Sequence, residues 1–459
     1  MALKFSNLFF VEKNTFTQDR QHAHEAHHRN IGWVYYCTML LGFWLIASPP
    51  SFGYEQSTMI WSDILTGFFL MVFSYLALNP YKLWAQWSLV FLGVWLLIAP
   101  MIFWAEEEAG FHNNYLVGIL VVVFGIIVPG QPGLKLFERP GPDVPPGWSY
   151  NPSTWNQRLP VIFLSWVGFF VARYMGAYQM DYITTVWDPF FGDGTRKVLT
   201  SEVSKSFPVS DAMLGAFSYV MDILFGCAGG INRWRTMPWV VIIFAILIIP
   251  LGVVSITLVI LQPVSVGYWC TLCLTSALIS MLMIPFTIDE AVATIQMMRA
   301  EKRAHRTSYW TTFWFGGTMQ GGKEERAKSP AALMEFTGRE MFHDLTLRPW
   351  NLALALVLGG WVMSAYSTLG YQGTIMYSEN ITGSLIITFA VIAMSEVGRP
   401  LRFILMLFGL WLIAAPWIVG TEENAALWNG MICGAILIPL ALPRGKVEDK
   451  RGSIDKYII

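Results

Sequence analysis

Trp84-Ala85-Gln86-Trp87-Ser88-Leu89-Val90-Phe91-Leu92-Gly93-Val94-Trp95-Leu96-Leu97-Ile98-Ala99-Pro100 runs on to Trp104 without one charged side chain. About 20 such residues, coiled as a helix, cross the ~30 Å hydrocarbon core of a bilayer. Helix is required there because each unpaired backbone group costs several kcal/mol in lipid. Working outward gives twelve stretches of this kind, near 32–50, 59–78, 84–104, 113–129, 159–180, 208–226, 238–262, 265–287, 349–369, 378–396, 400–419 and 424–443. The expected fold is therefore an all-α polytopic membrane protein with about 12 transmembrane helices in three groups of four. Composition agrees: 54% of residues are hydrophobic and 13% charged, where a soluble domain carries roughly 25% charge.

With 30 basic against 31 acidic residues, the overall balance gives no reason to expect nucleic acid as a partner. Position is more informative, because Lys and Arg concentrate in cytoplasmic loops. Of the 30, 26 fall on the side of the two termini, and Arg196, Lys197 and Lys205 fall opposite. Both termini are expected in the cytoplasm of an integral membrane protein, at the plasma or inner membrane if bacterial. The hydrophilic residues 1–31 lack a cleavable signal pattern, so the first span is read as the anchor.

The outer groups of spans repeat internally. Gly42-Phe43-Trp44-Leu45-Ile46-Ala47-Ser48-Pro49 returns as Gly93-Val94-Trp95-Leu96-Leu97-Ile98-Ala99-Pro100 and as Gly409-Leu410-Trp411-Leu412-Ile413-Ala414-Ala415-Pro416, with a weaker copy at Gly359-Gly360-Trp361. The second span of each unit opens with Asp or Asn and then Gly: Asp63 and Gly67, Asn114 and Gly118, Asn380 and Gly383, Asn429 and Gly434. Small residues allow close helix approach, Trp suits the interface, and Pro is expected to end the helix. These units resemble the SPW-repeat membrane family, which implies packing or docking modules with little chemistry of their own.

Residues 159–287 lack the repeat and carry Tyr268-Trp269-Cys270-Thr271-Leu272-Cys273 at the start of the eighth span, on the extracytoplasmic side by the charge rule. Thiols three residues apart on a helix share a face and can close a disulfide. A helix N-terminus, with Ser265 as the expected cap, favours the thiolate of the first. The plainer alternative is two small residues packed in a helix. Of the remaining cysteines, Cys37, Cys227 and Cys433, Cys227 ends the sixth span a membrane thickness from Cys270 and is expected to be buried.

This segment resembles the vitamin K epoxide reductase family. The matching pieces are Val198-Leu199-Thr200-Ser201, then Phe207-Pro208-Val209-Ser210-Asp211-Ala212-Met213-Leu214-Gly215 with Tyr219, and Trp269-Cys270-Thr271-Leu272-Cys273. The resemblance implies a four-helix bundle that reduces a quinone with electrons from a thioredoxin-like donor. Cys273 would face the quinone and Cys270 exchange with the shuttle; Asp211, Ser201 and Tyr219 would lie at the quinone. Two departures stand out. Residues 181–207 hold no cysteine, Thr195 standing at the second shuttle position with Pro189 near the first. Asp211 replaces an uncharged residue, and Ala277 a Tyr of the vertebrate members.

Arg173, inside the fifth span, is expected either to pair with Asp211 and orient a polar head group or to snorkel toward Asp181. His22, His24, His27 and His28 lack companion ligands, so no metal is expected. Asp222 is the main ionisable group deep in a span, too little for a transporter's ion path. The expected division is a cytoplasmic segment 1–31, a repeat pair 32–129, a linker 130–158, the reductase-like domain 159–290, a linker 291–348, a repeat pair 349–443 and a tail 444–459. Two functions fit: a thiol and quinone oxidoreductase with lipid, quinone and a donor as partners, or a structural subunit of a larger membrane assembly that retains the fold.

Overall fold

The protein is described by a computed structural model that places residues 28, 32–127, 141–319, 321–322, 349–421, 423–447 and 449–458. Twelve principal helices follow in order: α1 Trp33–Phe52, α2 Ser57–Ala77, α3 Leu83–Ile102, α4 Glu108–Ile127, α5 Trp155–Gln179, α6 Asp211–Cys227, α7 Pro238–Leu261, α8 Thr271–Arg303, α9 Trp350–Leu369, α10 Thr374–Met394, α11 Arg402–Ala415 and α12 Asn424–Leu440. Among the described residues there is no strand, only an isolated bridge between Trp148 and Arg451. Nine helical segments among the described residues are long and apolar enough to cross a bilayer, or up to ten if α6 and the bent segment before it count as one. The expected twelve is thus not reached by that measure. With 17 residues each, α6 and α12 span about 25 Å, and α1 is diluted by Tyr35, Tyr36, Thr38 and the Ser48–Pro50 turn.

The repeats fold as four helix pairs, α1 with α2, α3 with α4, α9 with α10 and α11 with α12. Each pair meets at two glycines. A Cβ added to Gly67, Gly118, Gly383 or Gly434 would lie 2.5, 2.9, 2.7 or 2.4 Å from the carbonyl oxygen of Gly42, Gly93, Gly359 or Gly409 respectively. No side chain fits there, so the backbones touch, which is how helices bind where lipid removes the hydrophobic drive. Tryptophans tie the pairs together. Trp44 Nε1 donates to Asn113 Oδ1 and Trp361 Nε1 to Asn429 Oδ1, both at 2.8 Å; Trp95 donates to Ser62 and Trp411 to Ser378 at 3.2 and 3.0 Å. The counterpart of Asn429 is therefore Asn113, one residue from the Asn114 that sequence alignment suggested. The prolines also behave differently from expectation: Pro49 and Pro100 lie inside the last turn of α1 and α3, which close two or three residues later.

Between these modules, α5–α8 form a four-helix bundle. The first module touches α6 through α3 and α4, and the second touches α7 and α8 through α10. At the bundle end away from Cys270, buried charges fasten the parts. Arg233 meets Glu290 of α8 through two bonds of 2.6 Å, and Arg451 reaches Asp289 at 2.9 Å and Glu396 at 2.5 Å. Arg233 and Arg451 are fully buried, so each guanidinium needs its carboxylates to offset desolvation. Ser149 N donates to Lys450 O at 2.9 Å, so the residues before α5 and the C-terminal tail, expected as separate segments, pack together there.

Candidate functional site

The Cys-x-x-Cys motif is set by how α7 ends. The helix passes into a π-turn, Gln262–Val266, and Gly267 then takes the left-handed conformation at φ 77°, which reverses the chain. Gln262 Oε1 accepts the Cys270 N–H at 3.0 Å. Cys270 itself is the N-cap of α8, its sulfur accepting the Cys273 N–H at 3.0 Å. The expected cap, Ser265, instead lies within the π-turn, because the turn and Gly267 stand between it and the helix. Cys270 and Cys273 are joined by a disulfide.

The two sulfurs face different surroundings. Cys270 has no exposed surface. Cys273 lines a cavity of about 410 Å³ enclosed by α5–α8 and the loop before α6. The cavity is lined by apolar side chains such as Ile246, Pro250, Val254 and Leu258, and its polar lining comes from Cys273, Ser276, Tyr219, Asp211, Ser201 and Ser204. Leu214, Ile246 and Val254 line it and are also exposed on the outer surface of the bundle.

Tyr219 is buried with its hydroxyl 3.0 Å from Ser276 Oγ and 2.8 Å from Ser280 Oγ, and Gly168 leaves room for its ring. At the start of α6, Ser210 caps the helix by accepting the Met213 N–H. Asp211 accepts from Gln179 Nε2 at 2.5 Å and from Ser204 Oγ at 3.1 Å. Ser201 donates its hydroxyl to Val198 O at 2.7 Å, holding the loop turn that forms one cavity wall.

Of the residues expected at the site, Cys273, Asp211, Ser201 and Tyr219 share the cavity, as does Ala277. Arg173 does not. On α5 the cavity-facing side chains are Ala172 and Met175, and Arg173 turns toward α4, where its Nε donates to His112 Nε2 at 3.2 Å. His112 Nδ1 lies 2.8 Å from Glu108 O, so the tautomer with the proton on Nδ1 satisfies both contacts. Neither the Asp211 pairing nor a bond to Asp181 forms. Cys227, expected buried, is exposed at the far end of α6. His28 bonds Ala77 O at 3.0 Å, while His22, His24 and His27 lie outside the described residues. Among the described residues no group of three or more His, Cys, Asp or Glu could hold a metal. Asp222 is fully buried, as are Asp63 and Glu379 of the flanking modules, which accept from Asn114 and Asn429.

Sequence reasoning missed Asp188. Its carboxylate accepts the N–H groups of Phe190 and Phe191 at 3.1 and 2.9 Å, an Asx turn that the Asp188-Pro189 pair could have signalled. It also accepts the N–H and the hydroxyl of Thr195 at 2.9 and 2.6 Å and the hydroxyl of Thr271 at 2.5 Å. Partial burial pushes the Asp188 carboxyl up, but the Thr195, Thr271 and backbone donors outweigh it and hold the group well below the usual carboxylate range. Thr195 in turn places its hydroxyl oxygen 3.4 Å from Cys270 Sγ. The short helix Gly194–Leu199 lies on the motif, so close that a Cβ at Gly194 would meet the Trp269 carbonyl oxygen at 2.0 Å.

Comparison with curated proteins and with solved structures finds no match. Family models do match, in an order that follows the architecture. The chain is an integral membrane protein in which a vitamin K epoxide reductase family domain, residues 159–288, lies between two SPW repeat domains, residues 32–128 and 349–443.

Proposed function

We propose that this protein is a membrane thiol and quinone oxidoreductase whose redox centre is the Cys270–Cys273 pair. The observation that carries the reading is Cys273 at the polar end of an apolar cavity whose lining side chains are also exposed on the outside of the bundle. Such a cavity suits a flat apolar head group carrying two carbonyls and an apolar tail, with the tail leaving between α6 and α7 past Leu214 and Ile246. Tyr219, Ser276 and Asp211 line the cavity and are the polar groups that would orient the carbonyls.

In the reduced state Cys270 and Cys273 give two electrons and two protons to the quinone, which leaves as a quinol, and the sulfurs close their disulfide. A donor dithiol reopens it: one donor thiolate attacks Cys270 Sγ, a donor–Cys270 bond forms, and the electron pair of the old bond leaves on Cys273. The second donor thiol then attacks the mixed disulfide, releasing Cys270 and the oxidised donor. Both termini would face the cytoplasm and the motif the opposite side, where an external thioredoxin-like protein supplies the dithiol.

A second reading, a structural subunit that keeps the fold, is favoured by two observations: Cys270 is fully buried beneath Thr195, and residues 181–207 offer no shuttle cysteine. Stopped-flow mixing of the reduced protein with a short-chain quinone separates the two. The oxidoreductase gives one quinol per disulfide formed, and Cys273→Ser falls to background. Absence of quinol from protein with two titratable thiols at 270 and 273 would leave the scaffold.

A further inference from the structure

The loop that carries the shuttle cysteines elsewhere in the family is closed here by a different device. Four contacts hold it on the motif. Asp188 joins the start of the Gly194–Leu199 helix to the start of α8 through Thr195 and Thr271. Thr195 lies on the Cys270 sulfur, Gly194 on the Trp269 carbonyl, and Lys197 Nζ sits 3.6 Å above the Tyr268 ring. Trp187 N donates to Tyr174 of α5 at 3.1 Å, anchoring the near end. Beneath this cover Cys270 is inaccessible, although it is the sulfur a donor must attack.

We propose that Asp188 and Thr195 form a latch that shuts the 181–207 loop over Cys270, so that a thiol donor reaches that sulfur only when the latch opens. The inference rests on the oxidoreductase reading above. Asp188 and Thr195 are positioning residues, acting through the sulfur they cover.

The latch also governs the sulfur's reactivity. Thr195 has one hydroxyl proton, and Asp188 Oδ2 at 2.6 Å takes it in preference to Cys270 Sγ at 3.4 Å. The threonine therefore presents lone pairs to the sulfur, with a carboxylate behind them, and both disfavour a thiolate at Cys270. The other charged groups nearby are engaged elsewhere: Arg196 with Asp193 at 3.0 Å, Lys197 on Tyr268, Asp211 with Gln179 and Ser204, and Arg173 with His112. Opening the loop thus uncovers Cys270 and relieves its thiolate at one stroke.

The test uses the full-length protein in lipid nanodiscs. The oxidised protein is mixed with dithiothreitol, quenched, and its thiols counted by mass-tag alkylation; the pH dependence of Cys270 alkylation is then measured on reduced protein. Asp188→Asn, nearly isosteric, is expected to speed reduction about tenfold, the scale of losing charge-assisted hydrogen bonds. It should also move the Cys270 alkylation midpoint to lower pH, a shift that loosened packing alone would not give. Thr195→Val should accelerate reduction and Thr195→Ser restore the slow rate, with alkylation of Cys37 and Cys227 unchanged as the check on the fold. Equal reduction rates in wild type and Asp188→Asn would overturn the latch while leaving the oxidoreductase reading standing. A pair that stays reduced under oxidant in wild type and variants alike would overturn both.

Discussion

The flanking modules and the central bundle are both built from apolar helices, yet they use their small residues in opposite ways. In the modules every glycine pair brings two backbones into contact, and Trp44, Trp95, Trp361 and Trp411 spend their indole N–H on a partner helix. In the bundle Gly215 faces the cavity, where an added Cβ would find only Ala172 at 3.7 Å, and Ser276, Asp211 and Tyr219 line that open space. The modules close their helix pairs backbone to backbone, whereas the bundle leaves room for a guest. The difference teaches that, in a membrane chain, a polar residue in a span is informative only once its partner is known.

Glycine substitutions offer the sharpest way to break that comparison. Gly67→Leu places side-chain atoms where the Gly42 carbonyl oxygen stands, 2.5 Å from the new Cβ, so α1 and α2 must separate. We expect a loss of about 3 kcal/mol, the upper range for overpacking, with quinone chemistry unchanged in protein that folds. Gly215→Leu should do the reverse: a stability change within about 1 kcal/mol and weakened quinone binding as the cavity fills. Thermal unfolding read beside quinone titration checks both, and the comparison fails if the two variants behave alike.

Much of this was legible in the sequence. The repeated Gly-x-Trp units announced the modules because each glycine and indole has one dominant use in lipid. Cys270, Cys273, Asp211, Ser201 and Tyr219 could be singled out because they belong to contiguous stretches with ordered spacing. Arg173 could not be placed since its depth in the span was readable and its azimuth was not: it directly follows Ala172, about 100° around the helix. Asp188 escaped notice because its partner Thr271 is brought to it by loop closure across 83 residues. The far-face knot of Arg451, Asp289 and Glu396 was hidden for the same reason, being assembled from three segments distant in sequence.

A smaller effect sharpens the likeness of the two modules. Trp44→Phe and Trp361→Phe each keep an aromatic ring but delete the bond to Asn113 or Asn429, leaving a buried or half-buried amide short of a partner. The expected cost is about 1 kcal/mol apiece, equal within error and additive in the double variant, because the modules touch different helices of the bundle. Chemical denaturation in mixed micelles reads it. Unequal or strongly non-additive costs would show that the repeats are not mechanically equivalent.

The smallest expected effect concerns pH, and it separates the loop latch from a titrating switch. Asp188 has its folded pKa depressed by the hydroxyls of Thr195 and Thr271 and by backbone donors, relative to about 3.9 for an unfolded Asp. A depressed carboxylate contributes stability that is fully present above the unfolded value and is lost as pH falls through the folded one. Loop closure should therefore be flat across neutral and mildly acidic conditions. The Thr195 amide, which donates to Asp188 Oδ2 at 2.9 Å, reports it directly. Its hydrogen-exchange protection, corrected for intrinsic rates, should hold constant from about pH 5 to 8, a range lying wholly above both pKa values. In Asp188→Asn it should be lower by a factor that does not vary with pH, since no carboxylate remains to titrate. A wild-type protection that fell progressively over this interval would place the closing force on another ionising group.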